Sequence, residues 1–515
     1  VYILASGDTT GATDRAAIQA AHDALPTSGG EIHLSAGVYH LDSEVAISKP
    51  VKLHGAGGGI AGDAGTAVSL APTTINCVSA TANAFNVTAN GCTFRDFALV
   101  NTAGSAPTAG AGILSVSNNT TTIDALTIVG FWNNLNLGGV YYSVTNCRFY
   151  DAVNYYLYHH SPGASYDDHG DFTVANCVFS GWKKSYTAVA QLRWESGGGI
   201  KVVGNKFNSG GQPGNSSAGV ATYCMQFLIE DSKTTGSLVV SGNSISGWAS
   251  NTCNIYIGQL GPTKTGAFTS VSIVGNEIAV GAQGITVEGN ATYDDKIKGV
   301  LISDNIFSFM TGSSIKVRYV RRCHIGQNMH NGAGTPLIDI PDLAANCIEM
   351  RIDRQHWGGD LVSKDVIRDN RSIGNNVLAL AGGVEYDYTQ GLSIATNGVW
   401  TQVFKIEVTN QAAGSFDFEI DGRSADTGNT SPNRKGVIVR QSRTYDVSST
   451  GVVTLTTIGT DVAAGAASAF VAVRYTVTTN WIAVEVQTTN ATNCVLWGQA
   501  RFKVNGKLQT FHVGV

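Results

Sequence analysis

A short pattern of apolar and polar residues recurs along the middle of the chain. An apolar stretch is followed by Asn and then, within three positions, by a large apolar residue. The Asn positions are 146, 176, 205, 243, 276, 305 and 328, separated by 30, 29, 38, 33, 29 and 23 residues. So variable a spacing excludes helical repeats of fixed length and is typical of coils with constant strands and variable loops. The pattern predicts a parallel β-helix.

The Asn residues are expected at bends between strands. Asn tolerates the left-handed backbone conformation, and stacked Asn side chains can hydrogen-bond from coil to coil. Between the bends lies a second strand with period-two alternation. Its members are Tyr155–His160, Ala190–Glu195, Met225–Glu230, Asn254–Gly258, Ile285–Glu288 and Ile315–Tyr319. The residues predicted to face inward are Leu192, Trp194, Phe227, Ile229, Ile255, Ile257, Ile285, Val287, Ile315 and Val317.

The two ends of the chain differ from this middle part. Near the N-terminus, Thr13 or Asp14 can cap a helix over Arg15–Leu25 that closes the first coil. From about Gly391, antiparallel alternation predicts a β-sandwich of about seven strands. We therefore predict an all-β chain with four parts: a cap at 1–60, a parallel β-helix at 61–355, a transition at 356–392 and a C-terminal sandwich at 393–515.

Composition narrows the possible partners. Charged residues make up 14% of the chain, against about 25% in typical proteins. The net charge is −5, and no Lys/Arg run is longer than Arg321-Arg322, so we expect no nucleic-acid partner. No apolar run is long enough for a membrane span, and no signal peptide is visible. A start at Val1 rather than Met suggests a piece of a longer protein.

The nine cysteines are scattered singly without a CxxC motif, which argues against a zinc site or a disulfide framework. We expect them to be reduced and mostly buried. The Gly-rich segments lack the following Lys-Ser/Thr of a phosphate-binding loop. The sequence therefore predicts no cofactor and no resident metal.

Three motifs follow one another near the N-terminus, at Gly7–Ala21, Gly29–Tyr39 and Val51–Gly57. They are similar to the GDG-x-TDD-TxAIQ helix, the GGxVxLPxGxY hairpin and the LxGxG turn with which chains of the pectate-lyase superfamily open. The departures from the family pattern include Arg15, which replaces the second acid, and Ser35, which replaces the proline. The resemblance implies a right-handed parallel β-helix.

Within that superfamily, neutral coils followed by a β-rich tail most resemble bacteriophage tailspikes. This resemblance implies a homotrimer located in the virion tail and attached to the baseplate or tail through a missing N-terminal region. It also implies action on a bacterial surface polysaccharide, an O-antigen or a capsule, without membrane insertion. No tailspike active-site motif matches residue by residue, so the resemblance assigns no catalytic residue.

Candidate catalytic residues come from the outward positions of the second strand. Neighbouring coils lie about 4.8 Å apart, and an alignment of Leu192 with Phe227 would make Glu195 and Glu230 neighbours. Two carboxylates at such spacing can cleave a glycoside as acid and as base or nucleophile. Asp168, in the acidic loop 165–171, is a third catalytic candidate. The alternatives are two solvated glutamates, and a solvated loop or a calcium site formed by Asp167, Asp168 and Asp171.

Other side chains on these coils are candidates for binding sugar. They are Tyr158, His160, Trp182, Arg193, Gln226, Tyr256 and Glu288. A competing chemistry is β-elimination of a uronic acid, in which Arg193 neutralises the carboxylate and His160 or Tyr158 abstracts the proton. Some tyrosines belong to the core, because alternation cannot place both Tyr155 and Tyr156 outside.

We therefore predict a tailspike-like endo-acting polysaccharide depolymerase, with hydrolysis preferred over elimination. One alternative is a receptor-binding spike of the same fold without catalysis. Another is a secreted plant-polysaccharide lyase or polygalacturonase, although the Asn-Thr-Asp and Gly-Asp-Asp signatures of a polygalacturonase are missing from the sequence.

Overall fold

The computed structural model contains two compact units, residues Val1–Thr286 and Val287–Val515. The residues that it describes are 1–58, 72–160, 171–181, 186–195, 198–208, 220–247, 252–261, 263, 265–290, 296–331, 337–340, 348–353, 355–358, 364–369, 378–381, 384–387, 392–394, 401–407, 413–426, 435–448, 450, 452–457, 462–465, 472–478, 481–487, 494–506 and 510–513.

The first unit consists of one helix and three parallel sheets, and each coil contributes strands to these sheets. The first sheet contains Tyr2–Ile3, Gly30–Leu34, Val51–His54, Thr93–Arg95, Thr122–Asp124, Ser143–Thr145, Asp171–Ala175, Gly199–Val203, Ser237–Ser241 and Val271–Val274. The second sheet contains Gly37–Leu41, Thr73–Cys77, Ala98–Asn101, Thr127–Val129, Arg148–Tyr150, Val178–Ser180, Lys206–Asn208, Ser244–Ser246 and Glu277–Gly281.

The third sheet carries the longest strands of this unit. It contains Val45–Ile47, Phe85–Val87, Ala111–Asn119, Asn133–Val140, Tyr155–His160, Thr187–Glu195, Val220–Ile229, Cys253–Gln259 and Ile285–Glu288, within which the unit ends. A small pair, Thr234–Thr235 and Ala267–Phe268, lies beside the coils. This arrangement confirms the predicted right-handed parallel β-helix.

The core of the coils follows the predicted alternation. All ten residues predicted to face inward are at most 1% exposed. The large apolar residues of the recurring pattern stack from coil to coil: the ring centroids of Phe149 and Phe179 are 4.9 Å apart, and those of Phe179 and Phe207 are 4.5 Å apart. Continuous burial of apolar area along the axis is the main favourable term for such a solenoid.

The recurring Asn residues occupy two different positions, not the single ladder expected. Asn146 and Asn176 have φ angles of 56° and 55° and form the left-handed bend. In the following coils that bend is formed by Gly204, Gly242 and Gly275, with φ of 67°, 63° and 68°. The sequence pattern does not distinguish the bend from the position after it, because each of these coils has an Asn at one position or the other.

The hydrogen-bonded ladder lies one residue beyond the bend. Asn205 Nδ2 donates to Asn243 Oδ1 at 3.0 Å, and Asn243 Nδ2 donates to Asn276 Oδ1 at 2.9 Å. Cys147 and Cys177 hold the equivalent buried position after the bends of the earlier coils. The ladder of the first unit therefore consists of three Asn residues. The buried side-chain amide of each one is hydrogen-bonded to a neighbouring Asn and to a backbone carbonyl, as buried polar groups require.

The helix at the N-terminus begins earlier than predicted. It spans Ala12–Asp23, and its N-cap is Gly11 without a side-chain cap. The carboxylate of Asp14 is buried inside the first turn and accepts from the backbone N–H groups of Ser6 and His40, each at 2.9 Å. Asp8 accepts from the hydroxyl of Thr10 at 2.7 Å and from the N–H of Thr13 at 2.9 Å, and these hydrogen bonds, the Thr10 one above all, hold the pKa of Asp8 below its usual range.

The second unit contains further parallel coils and an antiparallel part. Its parallel strands are Lys298–Ser303, Ile306–Met310, Ile315–Arg318, Arg321–Ile325, Met329–Asn331, Ile338–Ile340, Ile348–Asp353, His356–Gly358, Lys364–Asp369, Leu378–Ala381 and Val384–Asp387. An Asn pair recurs here, since Asn305 Nδ2 donates to Asn328 Oδ1 at 3.1 Å.

The antiparallel strands form two groups, as expected for a C-terminal sandwich. They are Leu392–Ile394, Thr401–Glu407, Ala413–Asp426, Lys435–Val447, Val453–Thr457, Val462–Gly465, Ala472–Thr478, Trp481–Gln487, Cys494–Gly506 and Thr510–Val513. They join the parallel coils directly, because Thr510–Val513 pairs with Lys364–Asp369 and Cys494–Gly506 pairs with Val384–Asp387.

Two further sequence expectations concern described residues. Seven cysteines are free and buried, in agreement with the prediction for them: Cys77, Cys92, Cys147, Cys177, Cys224, Cys253 and Cys323. Among the described residues, no helix has the length and apolar character that a membrane crossing needs.

Candidate functional site

A polar and aromatic column runs along the outer face of the third sheet. Tyr158, Arg193, Gln226 and Tyr256 lie opposite one another on four successive strands, and Asn136 precedes them on the strand before. We call these five residues the central column. At about 4.8 Å per strand, the column is about 19 Å long. Four predicted sugar-binding residues are therefore brought together on one face.

The predicted neighbours Glu195 and Glu230 are not opposite each other. Leu192 pairs with Met225 and not with Phe227, so Glu195 lies between His160 and Leu228. Glu230 lies beyond the end of its strand, and its Oε2 is 2.7 Å from Lys233 Nζ. The alignment was wrong by two residues. Such an error is invisible to period-two alternation because it leaves every side chain on the same face.

Alternation itself is interrupted at one end of these strands. Tyr156 and Leu157 are consecutive and both fully buried, which brings Tyr155 and Tyr158 onto the same face with ring centroids 4.8 Å apart. Unbroken alternation beside the inward Leu192 predicts that Gln191 faces outward, but Gln191 is fully buried on the strand next to Tyr156. Its Nε2 donates to the carbonyls of Asn208 at 2.9 Å and Phe179 at 3.3 Å, so it ties two sheets together at a corner.

Glu195 is the central carboxylate of this face and is only 5% exposed. Its Oε2 accepts from the phenol of Tyr158 at 2.7 Å, and its Oε1 accepts from Nε and Nη2 of Arg193. Arg193 also donates from Nη1 to Gln226 Oε1 at 3.0 Å. Four side chains from three coils thus form one hydrogen-bonded network. Because both oxygens of Glu195 accept hydrogen bonds, from Tyr158 and from Arg193, the position of the carboxylate is fixed.

The phenol of Tyr158 acts as a donor in this network. Burial, followed by the hydrogen bond to Glu195, raises the pKa of Tyr158 well above its usual value. Burial likewise raises the pKa of Tyr155. Both phenols are therefore protonated near neutral pH.

Aromatic rings frame the network. The guanidinium carbon of Arg193 lies 5.3 Å from the ring centroid of Tyr155, and the rings of Tyr158 and His160 stack at 4.8 Å. On the next coils, the ring centroids of Tyr223 and Tyr256 are 5.5 Å apart. Flat ring faces beside polar groups are suited to contact a sugar, which offers both apolar ring faces and hydroxyls.

A glycine makes room for one of these rings. A Cβ atom at Gly258 would lie 2.6 Å from Cε1 of Tyr256, so the ring extends over the backbone of its own strand. Because no real Cβ tolerates that distance, a larger residue at 258 would displace the ring. Gly258 stands opposite Leu228, next to the central column.

Tyr223 was missed in the sequence although a signal for it exists. It precedes Gln226 by three residues, as Tyr155 precedes Tyr158, and it pairs with Ala190 and Cys253 on the adjacent strands. The break in alternation at the corner turns this three-residue spacing into a shared outer face. An alternation that is assumed to be unbroken assigns the two residues to opposite faces.

The other predicted site residues lie apart from this network. Asp168 and Trp182, together with Asp167 of the alternative calcium site, lie outside the described residues, while Asp171 is exposed at the start of a strand. Glu288 belongs to the second unit, where its Oε1 pairs with Arg318 Nη1 at 2.9 Å. Within the described part of the chain, no group of three or more His, Cys, Asp or Glu residues could hold a metal ion.

Comparison with known proteins gives a likeness in fold. No protein-family model and no curated protein sequence matches the chain. Solved structures do match it over most of its length. The chain resembles phage tailspikes. A tailspike protein of an E. coli bacteriophage is 12% identical, with 97% of this chain and 89% of that chain covered and a TM-score of 0.45.

Two further solved structures are also similar to the chain. One is a tailspike from an Acinetobacter baumannii bacteriophage that is described as a capsular polysaccharide depolymerase. It is 10% identical, the alignment covers 98% of this chain and 86% of that chain, and the TM-score is 0.38. The other is the mannuronan C-5 epimerase module from Azotobacter vinelandii. It is 14% identical, the alignment covers 72% of this chain and 91% of that chain, and the TM-score is 0.30. The likeness concerns the fold alone, so function is argued from the residues of the outer face.

Proposed function

We propose that the chain is a tailspike-like protein that binds and cleaves a bacterial surface polysaccharide, an O-antigen or a capsule, along the outer face of the third sheet. The observation that carries the proposal is Glu195, a nearly buried carboxylate held by Tyr158 and Arg193 on an outward face lined by tyrosine rings. The central column runs along the coil axis over five successive strands, which is the direction in which an endo-acting site would hold a polymer.

The contacts of Glu195 suggest its role in hydrolysis. Both of its oxygens accept hydrogen bonds, from a phenol and from a guanidinium, which is the pattern of an ionised carboxylate. In a glycosidase such a carboxylate acts as base, nucleophile or stabiliser of the developing positive charge, while a second acid protonates the leaving oxygen. We assign the first role to Glu195, and Asp168 remains the sequence candidate for the acid.

Glu230 and the residues of the elimination hypothesis fit less well. Glu230 is paired with Lys233 at 2.7 Å beyond the end of the strand. For elimination, Arg193 would have to leave Glu195 and Gln226 in order to neutralise a uronate, and Tyr158 has a raised pKa that disfavours a phenolate base. Hydrolysis therefore remains the preferred chemistry.

The direct test is to incubate the purified chain with a panel of O-antigen and capsular polysaccharides. We expect one or a few glycans to be fragmented and to gain new reducing ends. The unsaturated sugar that elimination leaves, which absorbs at about 235 nm, should not form. Absorbance at that wavelength would support a lyase. Intact glycans across the panel would contradict cleavage.

Two variants then test the residues. We expect Glu195→Gln to lower turnover by more than about 100-fold, since the amide keeps the size of the side chain but removes its charge. Glu277→Gln is the matched control, because Glu277 is exposed on a second-sheet strand and should retain full activity. Full turnover in Glu195→Gln, with unchanged thermal unfolding, would remove Glu195 from the mechanism.

A receptor-binding spike without catalysis is the second candidate. It is favoured by the observation that Glu195 bonds to Tyr158 and Arg193, and that the described residues of the network include no second carboxylate. Binding of a glycan on the panel, measured by surface plasmon resonance, without any change in its chain length would select this function.

A further inference from the structure

The charges on the outer face of the third sheet are already matched within the protein. Arg193 is the one cation of the central column, and its side chain is 17% exposed. Its Nε and Nη2 atoms contact Glu195 and its Nη1 atom contacts Gln226. A guanidinium recognises a sugar carboxylate through two parallel N–H donors, and here three of its five N–H donors, including the parallel pair on Nε and Nη2, already bond to protein acceptors.

The carboxylate of Glu195 adds a second constraint. It lies on the strand between His160 and Leu228, directly beside the central column. An acidic sugar on that column would bring a like charge towards a buried carboxylate, and like charges across an interface oppose binding. Glu230 offers no compensation, because it is itself an acid and is paired with Lys233.

The wider region carries no excess of positive charge. Between Tyr155 and Gln259, the sequence contains six Asp or Glu residues and six Lys or Arg residues, and the whole chain has a net charge of −5 with His taken as neutral. Long-range attraction of a polyanion needs a positively charged groove. The contacts that this face offers are instead phenol and amide groups and the rings of Tyr155, Tyr223 and Tyr256.

We infer that the glycan bound at this face is a neutral polysaccharide, built from uncharged sugars at the positions that contact the central column. The inference rests on the proposed function and narrows it from any bacterial surface polysaccharide to one class. Recognition then depends on ring stacking and on hydrogen bonds to hydroxyl and amide groups, and not on ion pairing.

The first experiment measures binding of the intact chain to an array of purified bacterial O-antigens and capsules with known repeat units, both neutral and acidic. We expect neutral repeats among the bound glycans and no uronate, sialate or pyruvate acetal in the bound repeat. A bound repeat with an acidic sugar, lost on carboxyl reduction, would overturn the inference but support the proposed function. Binding to none of the glycans would count against the proposed function itself.

The second experiment uses one glycan in two forms. Primary alcohols of the bound polysaccharide are oxidised to carboxylates, and the oxidised and native forms are compared in the same binding assay. We expect affinity to fall by more than about tenfold on oxidation, and affinity for the native form to change less than about twofold between low and high salt. Equal affinity for both forms, or loss of native binding with salt, would contradict neutral recognition.

Discussion

Two positions of the same coils differ sharply in how their residues vary from strand to strand. In the buried corner, Asn205, Asn243 and Asn276 repeat one side chain and one hydrogen bond from coil to coil. On the outer face of the third sheet, the central column changes at every step. Identical backbone positions are thus occupied by one residue where the fold needs it and by different residues where we propose that a glycan binds.

The comparison also separates two kinds of polar burial. The ladder amides are bonded to copies of themselves and to backbone carbonyls, so their partners are supplied by the fold. Glu195 is bonded to side chains that differ from coil to coil and that lie at the surface. Removal of a residue from the first set should reduce stability, whereas removal from the second should reduce function first.

The largest expected effect on stability is at the middle of the ladder. Asn243 is buried, donates to Val202 O and Asn276 Oδ1, and accepts at Oδ1 from Asn205. Asn243→Ala leaves several buried groups unpaired, so we expect the free energy of unfolding to fall by about 3 kcal/mol or more in urea titration.

The neighbouring Ser244 is exposed and provides the control for that experiment. Ser244→Ala should change the free energy of unfolding by less than about 0.5 kcal/mol. Equal losses in the two variants would show that the ladder is not a special source of stability.

Part of this arrangement follows from the sequence and part does not. The β-helix and its inward residues were predictable because burial imposes alternation on every coil. The register of Glu195 was not, because a shift of two residues preserves alternation. The burial of Gln191 was also missed, because the break beside it depends on a corner between two sheets and not on local sequence.

The bend and the ladder likewise could not be told apart from the alternation of the sequence alone. Asn146 and Asn205 look equivalent in sequence, yet the first adopts the left-handed bend and the second is buried one position later. The difference is set by the preceding residue, because Gly204 takes the bend and leaves Asn205 free to face inward. In the first unit, a glycine directly before an Asn is therefore the sequence signal for a ladder position.

A smaller effect is expected at Gly258. Gly258→Ala should displace the ring of Tyr256 and weaken glycan binding by about tenfold, with little change in stability. Gly236→Ala is the matched control, because a Cβ there would meet nothing within 4 Å. Isothermal titration with the identified glycan measures both variants. Unchanged binding in Gly258→Ala would exclude Tyr256 from recognition.

The smallest effect should come from an extension of the ladder by one coil. Cys177 is buried below Asn205, and its backbone N–H donates to Asn205 Oδ1 at 2.9 Å. Cys177→Asn places an amide where the thiol now contacts the carbonyl of Val144, so we expect stability to stay within about 1 kcal/mol of the wild type. Cys177→Leu, which adds bulk without a donor, should lose more. The reverse order would contradict the ladder account.

The most direct test of the account as a whole is a crystal structure of the Glu195→Gln variant with a fragment of its polysaccharide. We predict sugar rings along Asn136, Tyr158, Gln226 and Tyr256, with a glycosidic oxygen near residue 195. A glycan bound on another sheet, or at the antiparallel strands of the second unit, would contradict it.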